Sequence, residues 1–332
     1  MNKKSLVILS LAMVATLIFA GMANAWWIFG DESKKEGGST YPSKPIQIIV
    51  PAGPGGDTDT NARTIAKYLD DTLGANIAVV NMEGAGSTIA SQHVKNSKPD
   101  GHTVMFFHSS LYLAKIFGVA EYDFEAFKQG PMVTLEPSNT FLIKGDDPRF
   151  SNLDELVAYG KKHPGELTIG IETGGMSHMV SLAFADAVGV EFNFADVGGQ
   201  SAKNAALLGG HVDLIYGIVS PVLSYIKSGD MISLGITAEE RQEAYDFIPT
   251  FIEQGYKLNI GKPYYFLFPK DTPQEIVDTF TAAVKEATEE QGYKDDLAKV
   301  KLKPNYKDPE EARSFITHQR DYFQMLYNKL AF

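Results

Sequence analysis

The chain has 332 residues, a formal net charge of −11 and no cysteine. The acidic excess argues against nucleic-acid binding, and the lack of cysteine excludes a disulfide framework and a lipid-carrying cysteine. A folded part of about 290 residues is large for one core and favours two domains.

The N-terminus has the pattern of an export signal. Two lysines precede an apolar run from Leu6 to Met22, and an Ala-x-Ala cleavage site follows at 23–25. We predict a cleavable signal peptide over residues 1–25, a flexible charged lead-in over 26–40 and a periplasmic protein. An aromatic run at 26–29 leaves an uncleaved N-terminal anchor as the alternative.

The first predicted folded unit is a strand, a glycine-rich loop and a helix. The apolar strand Ile46–Val50 leads through Gly53-Pro54-Gly55-Gly56 into a helix that begins at about Thr58. Apolar residues three and four positions apart give this helix one buried face. Glycines let a ligand approach the backbone, and a helix N-terminus offers unpaired N–H donors and a partial positive charge. The loop is therefore a candidate cradle for an anion.

Known nucleotide-binding loops fit this segment poorly. A P-loop requires a lysine that this register lacks, and a dinucleotide fingerprint that begins at Gly53 and Gly55 meets Thr58 where its third glycine belongs. The acidic residues Asp57 and Asp59 would also repel a polyphosphate. Without a ligand, the loop would be a tight turn in which Asp57 or Thr58 caps the helix.

Strands and helices continue to alternate along the chain. Further strands are predicted at 76–81, 103–107, 140–144, 167–171, 213–216, 232–236 and 264–268. Further helices are predicted to end at Val94 and Leu208 and to cover 153–162, 179–188, 274–290 and 309–330. This alternation predicts an α/β fold with open parallel sheets, in which ligands bind at the carboxyl ends of strands.

Two later loops repeat the pattern of the first. Glu172–His178 follows the strand at 167–171, and Val197–Ser201 precedes a short helix. Glycine-rich loops from two α/β units can face each other across a cleft.

Motifs along the whole folded part resemble one family. They are Val50-Pro51-x-x-Pro54-Gly55-Gly56-x-x-Asp59, Asn81-x-x-Gly84-Ala85-Gly86, Pro99-Asp100-Gly101, Gly175-x-Ser177-His178, Leu207-Leu208-Gly209-Gly210-His211-Val212-Asp213 and Pro269-x-x-Thr272-Pro273. In this order, they resemble the solute-binding proteins of tripartite tricarboxylate transporters, the Bug family.

The resemblance implies a type II periplasmic-binding-protein fold, with two α/β domains, two crossover strands and the ligand cleft between the domains. We expect domain I to comprise residues 41–142 and 264–332 and domain II residues 143–263. The family implies capture of a di- or tricarboxylate, an aromatic carboxylate or an acidic amino acid, and delivery to membrane permease subunits. No cofactor or metal is implied, and we expect a monomer.

The resemblance also assigns site residues. In the first half of the chain they are Ala52, Gly53, Gly55, Gly56, Asp57, Thr58, His108 and Ser109. In the second half they are Thr173, Gly174, Gly175, Ser177, His178, Gly199 and Gln200. We expect backbone N–H groups and Ser177 to make the main contacts and Asp59 to cap the first helix. His178 is left open between a structural role and ligand contact.

This chain departs from the family pattern at three positions. Family members usually carry a bulky aromatic residue at 52 and tyrosine and lysine at 197 and 198, where this chain has Ala52, Val197 and Gly198. We therefore expect a roomier pocket that takes a longer or ring-bearing acid.

Two other functions compete with solute delivery. An enzyme is disfavoured because Ser177 and His178 are adjacent in sequence, no Gly-x-Ser-x-Gly turn occurs and the histidines lack metal-ligand spacing. A sensory role, in which the loaded protein docks on a membrane receptor or kinase, would use the same cleft, and the sequence does not separate it from transport.

Overall fold

The structure, a computed structural model, describes residues 41–330. The predicted signal peptide at 1–25 and lead-in at 26–40 lie outside the described residues. From Lys44 onward the chain forms one compact unit. No helix among the described residues is both long enough and apolar enough to span a bilayer.

The strands are β1 Ile46–Val50, β2 Ile77–Asn81, β3 Thr103–Phe107, β4 Phe127–Glu136, β5 Asn139–Lys144, β6 Thr168–Ile171, β7 Asn193–Asp196, β8 Leu214–Ile218, β9 Met231–Ile236, β10 Lys262–Pro269 and β11 Pro304–Lys307. They form a six-stranded sheet in the order β11-β4-β10-β3-β1-β2 and a five-stranded sheet in the order β7-β6-β8-β5-β9. We call these the first and the second sheet.

The helices are α1 Asp57–Leu73, α2 Thr88–Lys95, α3 Ser110–Ile116, α4 Leu153–Lys162, α5 Met176–Val188, α6 Gln200–Leu208, α7 Val219–Ser228, α8 Gln274–Glu289, α9 Gln291–Lys299 and α10 Pro309–Leu330. Short 3₁₀ turns lie at Ala85–Ser87, Phe124–Ala126 and Glu243–Tyr245.

Both sheets are mixed. In the first sheet β1 pairs in parallel with β2 and β3, whereas β10 runs antiparallel to β3 and β4. In the second sheet β6 pairs in parallel with β7 and β8, whereas β5 runs antiparallel to β8 and β9. The predicted βαβ units therefore make the parallel part of each sheet, and strands that arrive from the other sheet add the antiparallel part.

Local sequence explains several helix ends. Asn152 caps the N-terminus of helix α4, since its side chain accepts a hydrogen bond of 3.0 Å from the Glu155 N–H. The helix carries acidic residues in its first turn and lysines in its last. The residue that caps the C-terminus of α1 is Gly74, which has a positive φ of 61°. Pro309 opens α10, which packs on β4 of the first sheet and on α5 beside the second.

The chain passes between the sheets at two connections, one between Glu136 and Asn139 and one between Ile236 and Lys262. The predicted domain boundaries at 142/143 and 263/264 lie inside β5 and β10, so a division by sheets would place them a few residues earlier. The division into domains stays a prediction.

Hydrogen bonds join the two connections. Asn139 is fully buried, and its Nδ2 donates to the Ile260 carbonyl and, at 3.1 Å, to Thr237 Oγ1. Its Oδ1 accepts from the Tyr216 hydroxyl. The Thr237 N–H donates to the Asn139 carbonyl at 2.9 Å, and the Ile260 N–H donates to the Thr237 carbonyl at 3.0 Å. The crossing points are thus held to each other and to β8.

Candidate functional site

A cleft of about 830 Å³ is lined by residues from both sheets. Its walls lie after the carboxyl ends of β1, β3 and β6, which is where open α/β sheets bind ligands. The lining residues that the sequence predicted are Ala52, Asp57, Thr58, His108, Thr173, Gly174, Gly175, Ser177 and Gln200. The structure therefore brings together parts of all the predicted loops.

Asp59, which does not line the cleft, holds the first glycine-rich loop in place. One Asp59 oxygen accepts from the Gly55 N–H at 2.8 Å and from Arg63 Nε at 3.0 Å, and the other accepts from Asn81 Nδ2 at 2.9 Å. The residue that caps α1 is Gly56, and no side chain bonds to the cap. The predictions that Asp57, Thr58 or Asp59 caps this helix are wrong, because the helix already begins at Asp57 and the Asp59 carboxylate bonds to the loop instead. The N–H of Gly55 is consequently used within the protein.

At the start of α1, Asp57 forms an ion pair with Lys262, and it accepts a hydrogen bond of 2.7 Å from the Tyr264 hydroxyl. Lys262 is buried, whereas about half of the Asp57 side chain is exposed. Burial works against ionisation, but the Lys262 ammonium and these hydrogen bonds hold the pKa of Asp57 well below its usual range. Asp57 is therefore ionised at neutral pH, and its carboxylate is paired with Lys262.

Beside this pair, His108 packs between two aromatic rings. Its ring centroid lies 4.2 Å from that of Phe107 and 5.7 Å from that of Tyr264, and its Nδ1 accepts from the Ser110 N–H at 3.3 Å. Burial and the nearby Lys262 lower the pKa of His108 to about 3, against the opposing effect of Asp57. His108 is neutral at physiological pH and is one of the residues that line the cleft.

The second loop faces the first from the end of β6. Ser177 Oγ accepts from the Glu172 N–H at 2.8 Å and Gly174 has a positive φ of 77°, so the loop bends sharply before α5 begins. Thr173, Gly174 and Gly175 line the cleft together with Ser177. The hydroxyl of Ser177 is thus both a contact within the loop and part of the cleft wall.

His178 lies outside this cleft. Its ring stacks on Phe117 with 4.9 Å between centroids, and its Nδ1 accepts from the Gly174 N–H at 3.4 Å. Ser109 is also turned away, because its hydroxyl donates to Gln319 Oε1 at 3.0 Å. The other predicted residues that do not line the cleft are Gly53, Gly55, Gly56 and Gly199.

The lining residues that were not predicted include three with long polar side chains, Lys203, Tyr216 and Lys262. Lys203 lies in the first turn of α6, and its Nζ is 5.1 Å from the centroid of the Tyr216 ring. Lys262 opens the buried strand β10. Each lysine is unusual for its place in the sequence. The N-terminal turn of a helix is an unfavourable place for a positive charge, and the rest of β10 is mostly apolar. This mismatch is the sequence signal that could have identified the two lysines as functional residues.

No group of three or more histidine, aspartate or glutamate side chains among residues 41–330 is arranged to hold a metal ion. The groups that the cleft offers to a ligand are helix N-termini, hydroxyl groups, neutral His108 and the two ammonium groups.

The family model described as "Tripartite tricarboxylate transporter family receptor" matches residues 61–331. The chain belongs to this family. Among curated relatives, BugT of Bordetella pertussis is 30% identical over 291 residues, which cover 84% of this chain and 87% of BugT.

Solved structures share the fold of this receptor. A TctC solute-binding protein from Polaromonas is 28% identical and aligns with a TM-score of 0.74, over 87% of this chain and 100% of the other. MatC from Rhodopseudomonas palustris, with bound malate, aligns with a TM-score of 0.72 at 24% identity, over 86% and 99% of the two chains, a likeness that shows the fold.

These likenesses confirm the predicted type II periplasmic-binding-protein fold and the predicted family. The family and its structural neighbours are solute-binding proteins, so this receptor is a solute-binding protein and not an enzyme.

Proposed function

We propose that this receptor captures a small organic carboxylate in the cleft and delivers it, in the periplasm, to the membrane permease subunits of a tripartite tricarboxylate-type transporter. The observation that supports this most directly is the convergence of three helix N-termini, those of α1, α5 and α6, and two lysines on one cleft. The malate in MatC supports a carboxylate as the class of ligand.

Capture would proceed by closure of domain I, residues 41–142 and 264–332, over domain II, residues 143–263, in a monomer. Closure requires the acid to bind the closed form better than the open one, and about 3 kcal/mol shifts that ratio roughly 150-fold. Hydrogen bonds to a charged group contribute about 1.5–3 kcal/mol each, so two or three of them suffice. No cofactor or covalent step is needed.

The expected size of the acid follows from position 52. Ala52 lines the cleft, whereas Val197 and Gly198 do not. The proposal of a longer or ring-bearing acid therefore depends on the space beside Ala52. Replacing Ala52 with phenylalanine should weaken binding of the longest acids accepted and spare the shortest.

The test is a thermal-shift screen of the purified, ligand-free protein against mono-, di- and tricarboxylates, aromatic acids and acidic amino acids. An acid present at one hundred times its dissociation constant stabilises the protein by about 2.7 kcal/mol, which is a readily measured shift. Calorimetry then gives the affinity. If no acid in any class shifted the melting temperature of protein shown by mass spectrometry to be ligand-free, carboxylate capture would be rejected.

A further inference from the structure

Lys203 is a buried cation without a counterion. Only 3% of the residue is exposed, yet it contributes to the wall of the cleft. Within residues 41–330 its Nζ makes no hydrogen bond and no ion pair, and its nearest specific partner is the face of the Tyr216 ring. A buried ammonium group in this state is costly unless something else binds it.

The groups around Lys203 do not supply that partner. It lies in the first turn of α6, where the helix carries partial positive charge. Burial lowers the pKa of Lys203 to about 8, the carboxylate of Glu172 opposes this shift and the ammonium of Lys262 adds to it. Glu172 is exposed and lies beyond ion-pair distance.

The other lysine of the cleft is different. Lys262 is paired with Asp57, which also accepts from Tyr264, so its charge is compensated within the protein. The uncompensated positive charge is therefore on the side of the second sheet, at the N-terminus of α6.

We infer that Lys203 binds the acidic group of the captured solute directly and sets the preference of the cleft for an acid over its neutral amide. The inference rests on the proposed function and adds the orientation of the solute, whose acidic group faces α6. An ammonium in a water-poor site forms a charge-assisted hydrogen bond with a carboxylate that an amide does not match.

The test compares acids with amides of the same shape. Calorimetry on the purified protein measures the affinities of malate, adipate and benzoate and those of their neutral amides malamide, adipamide and benzamide. We expect Lys203→Met to lower the affinity for the acid by about tenfold or more and to leave the affinity for the amide unchanged. Lys227→Met, which removes an exposed lysine from α7, is the matched control and should bind as the wild type does.

The pH profile tests the same inference without loss of the side chain. Acid affinity of the wild type should fall as the pH rises through about 8, because Lys203 then loses its charge. The arginine of the Lys203→Arg variant keeps its charge throughout this pH range, so the acid affinity of this variant should not change with pH. Glu172→Gln removes the competing carboxylate and should bind the acid more tightly.

Each result decides a separate question. A wild type that binds none of these acids would reject the proposed function and the inference with it. A wild type that binds an acid, with a Lys203→Met variant that keeps both its affinity and its preference over the amide, would overturn the inference alone. Melting temperatures identify a misfolded variant, and in that case the wild-type pH profile decides: a flat profile between pH 7 and 9.5 would also overturn the inference.

Discussion

Replacing Lys262 with methionine removes the cation that pairs with Asp57 in the cleft wall. Fully buried ion pairs cost about 3–5 kcal/mol to break from one side, and exposed pairs contribute about 0–1 kcal/mol. Here 8% of the Lys262 side chain but 47% of the Asp57 side chain is exposed. The effect should therefore be intermediate, about 2 kcal/mol, which lowers the melting temperature of a protein of this size by about 3 °C.

The assay is thermal unfolding followed by circular dichroism, in a double-mutant cycle with Asp57→Asn. If the pair is the cause, the two substitutions are coupled by about 1–2 kcal/mol. Lys285→Met, on an exposed position of α8, is the matched control and should change stability little. Additivity of the two single effects to within about 0.5 kcal/mol would refute this account of the pair.

The same variant has a pH signature. Glu136 is buried and lies directly across from Lys262 in the β4–β10 register. Burial raises the pKa of Glu136, and the Lys262 ammonium partly counters that rise. Without the ammonium the folded-state pKa of Glu136 rises further, so ionised Glu136 destabilises the variant at high pH and the penalty shrinks as the pH falls. The loss of stability should be larger at pH 8 than at pH 5.

Three further outcomes are expected. Asn139→Leu should destabilise the fold by about 2–4 kcal/mol in denaturant unfolding, because it leaves the buried Tyr216 hydroxyl without its acceptor; an unchanged midpoint would contradict this. His108→Gln should lessen the loss of stability between pH 6.5 and 3, because His108 is neutral when folded and its contribution, at most about 1.4 kcal/mol per pH unit, is lost as the pH falls through that window; identical pH curves for the two proteins would exclude this role. Gly145→Ala should cost more than about 3 kcal/mol, since a Cβ there would lie 1.7 Å from the Gly229 carbonyl oxygen, whereas Gly199→Ala, with open space around it, should cost under about 1 kcal/mol; similar melting temperatures for the two variants would refute the steric argument.

Local patterns were enough to predict the βαβ parts of the fold. The strand Ile46–Val50 and the helix Pro309–Leu330 have the predicted bounds, because a continuous apolar run and a helical repeat are properties of the segments themselves. Helix starts were less accurate: α5 begins at Met176 rather than at Met179. The difference is one turn, where the glycine loop gives way to the helix.

The strand β4 escaped prediction because Gly130-Pro131 lies within it. These residues normally break a strand, since proline has no N–H for the ladder. Here the ladder between β4 and β10 skips register between Gln129 and Met132, so the missing donor is tolerated. β10 and β11 then pair on the two sides of β4. Such support comes from residues distant in sequence, and a local pattern does not contain it.

The same limit applies to the cleft. Its glycine loops were predictable because each one combines a strand end, glycines and a helix start. Lys203 and Lys262 come from a helix and a strand far apart in sequence, and only the fold places them at one cleft. At 197 and 198 this chain lacks the tyrosine and lysine that are usual in the family, whereas the lysine that lines its cleft is at position 203.

The hydrogen bonds among Asn139, Thr237 and Ile260 have a mechanical consequence. Two separate connections between the sheets would let the halves twist and slide as well as bend. Because these connections are hydrogen-bonded to each other, a closing motion would bend them together, which favours a single rotation axis. The size of a captured solute would then be converted into one angle, and a permease that docks on both halves would need to recognise only that angle.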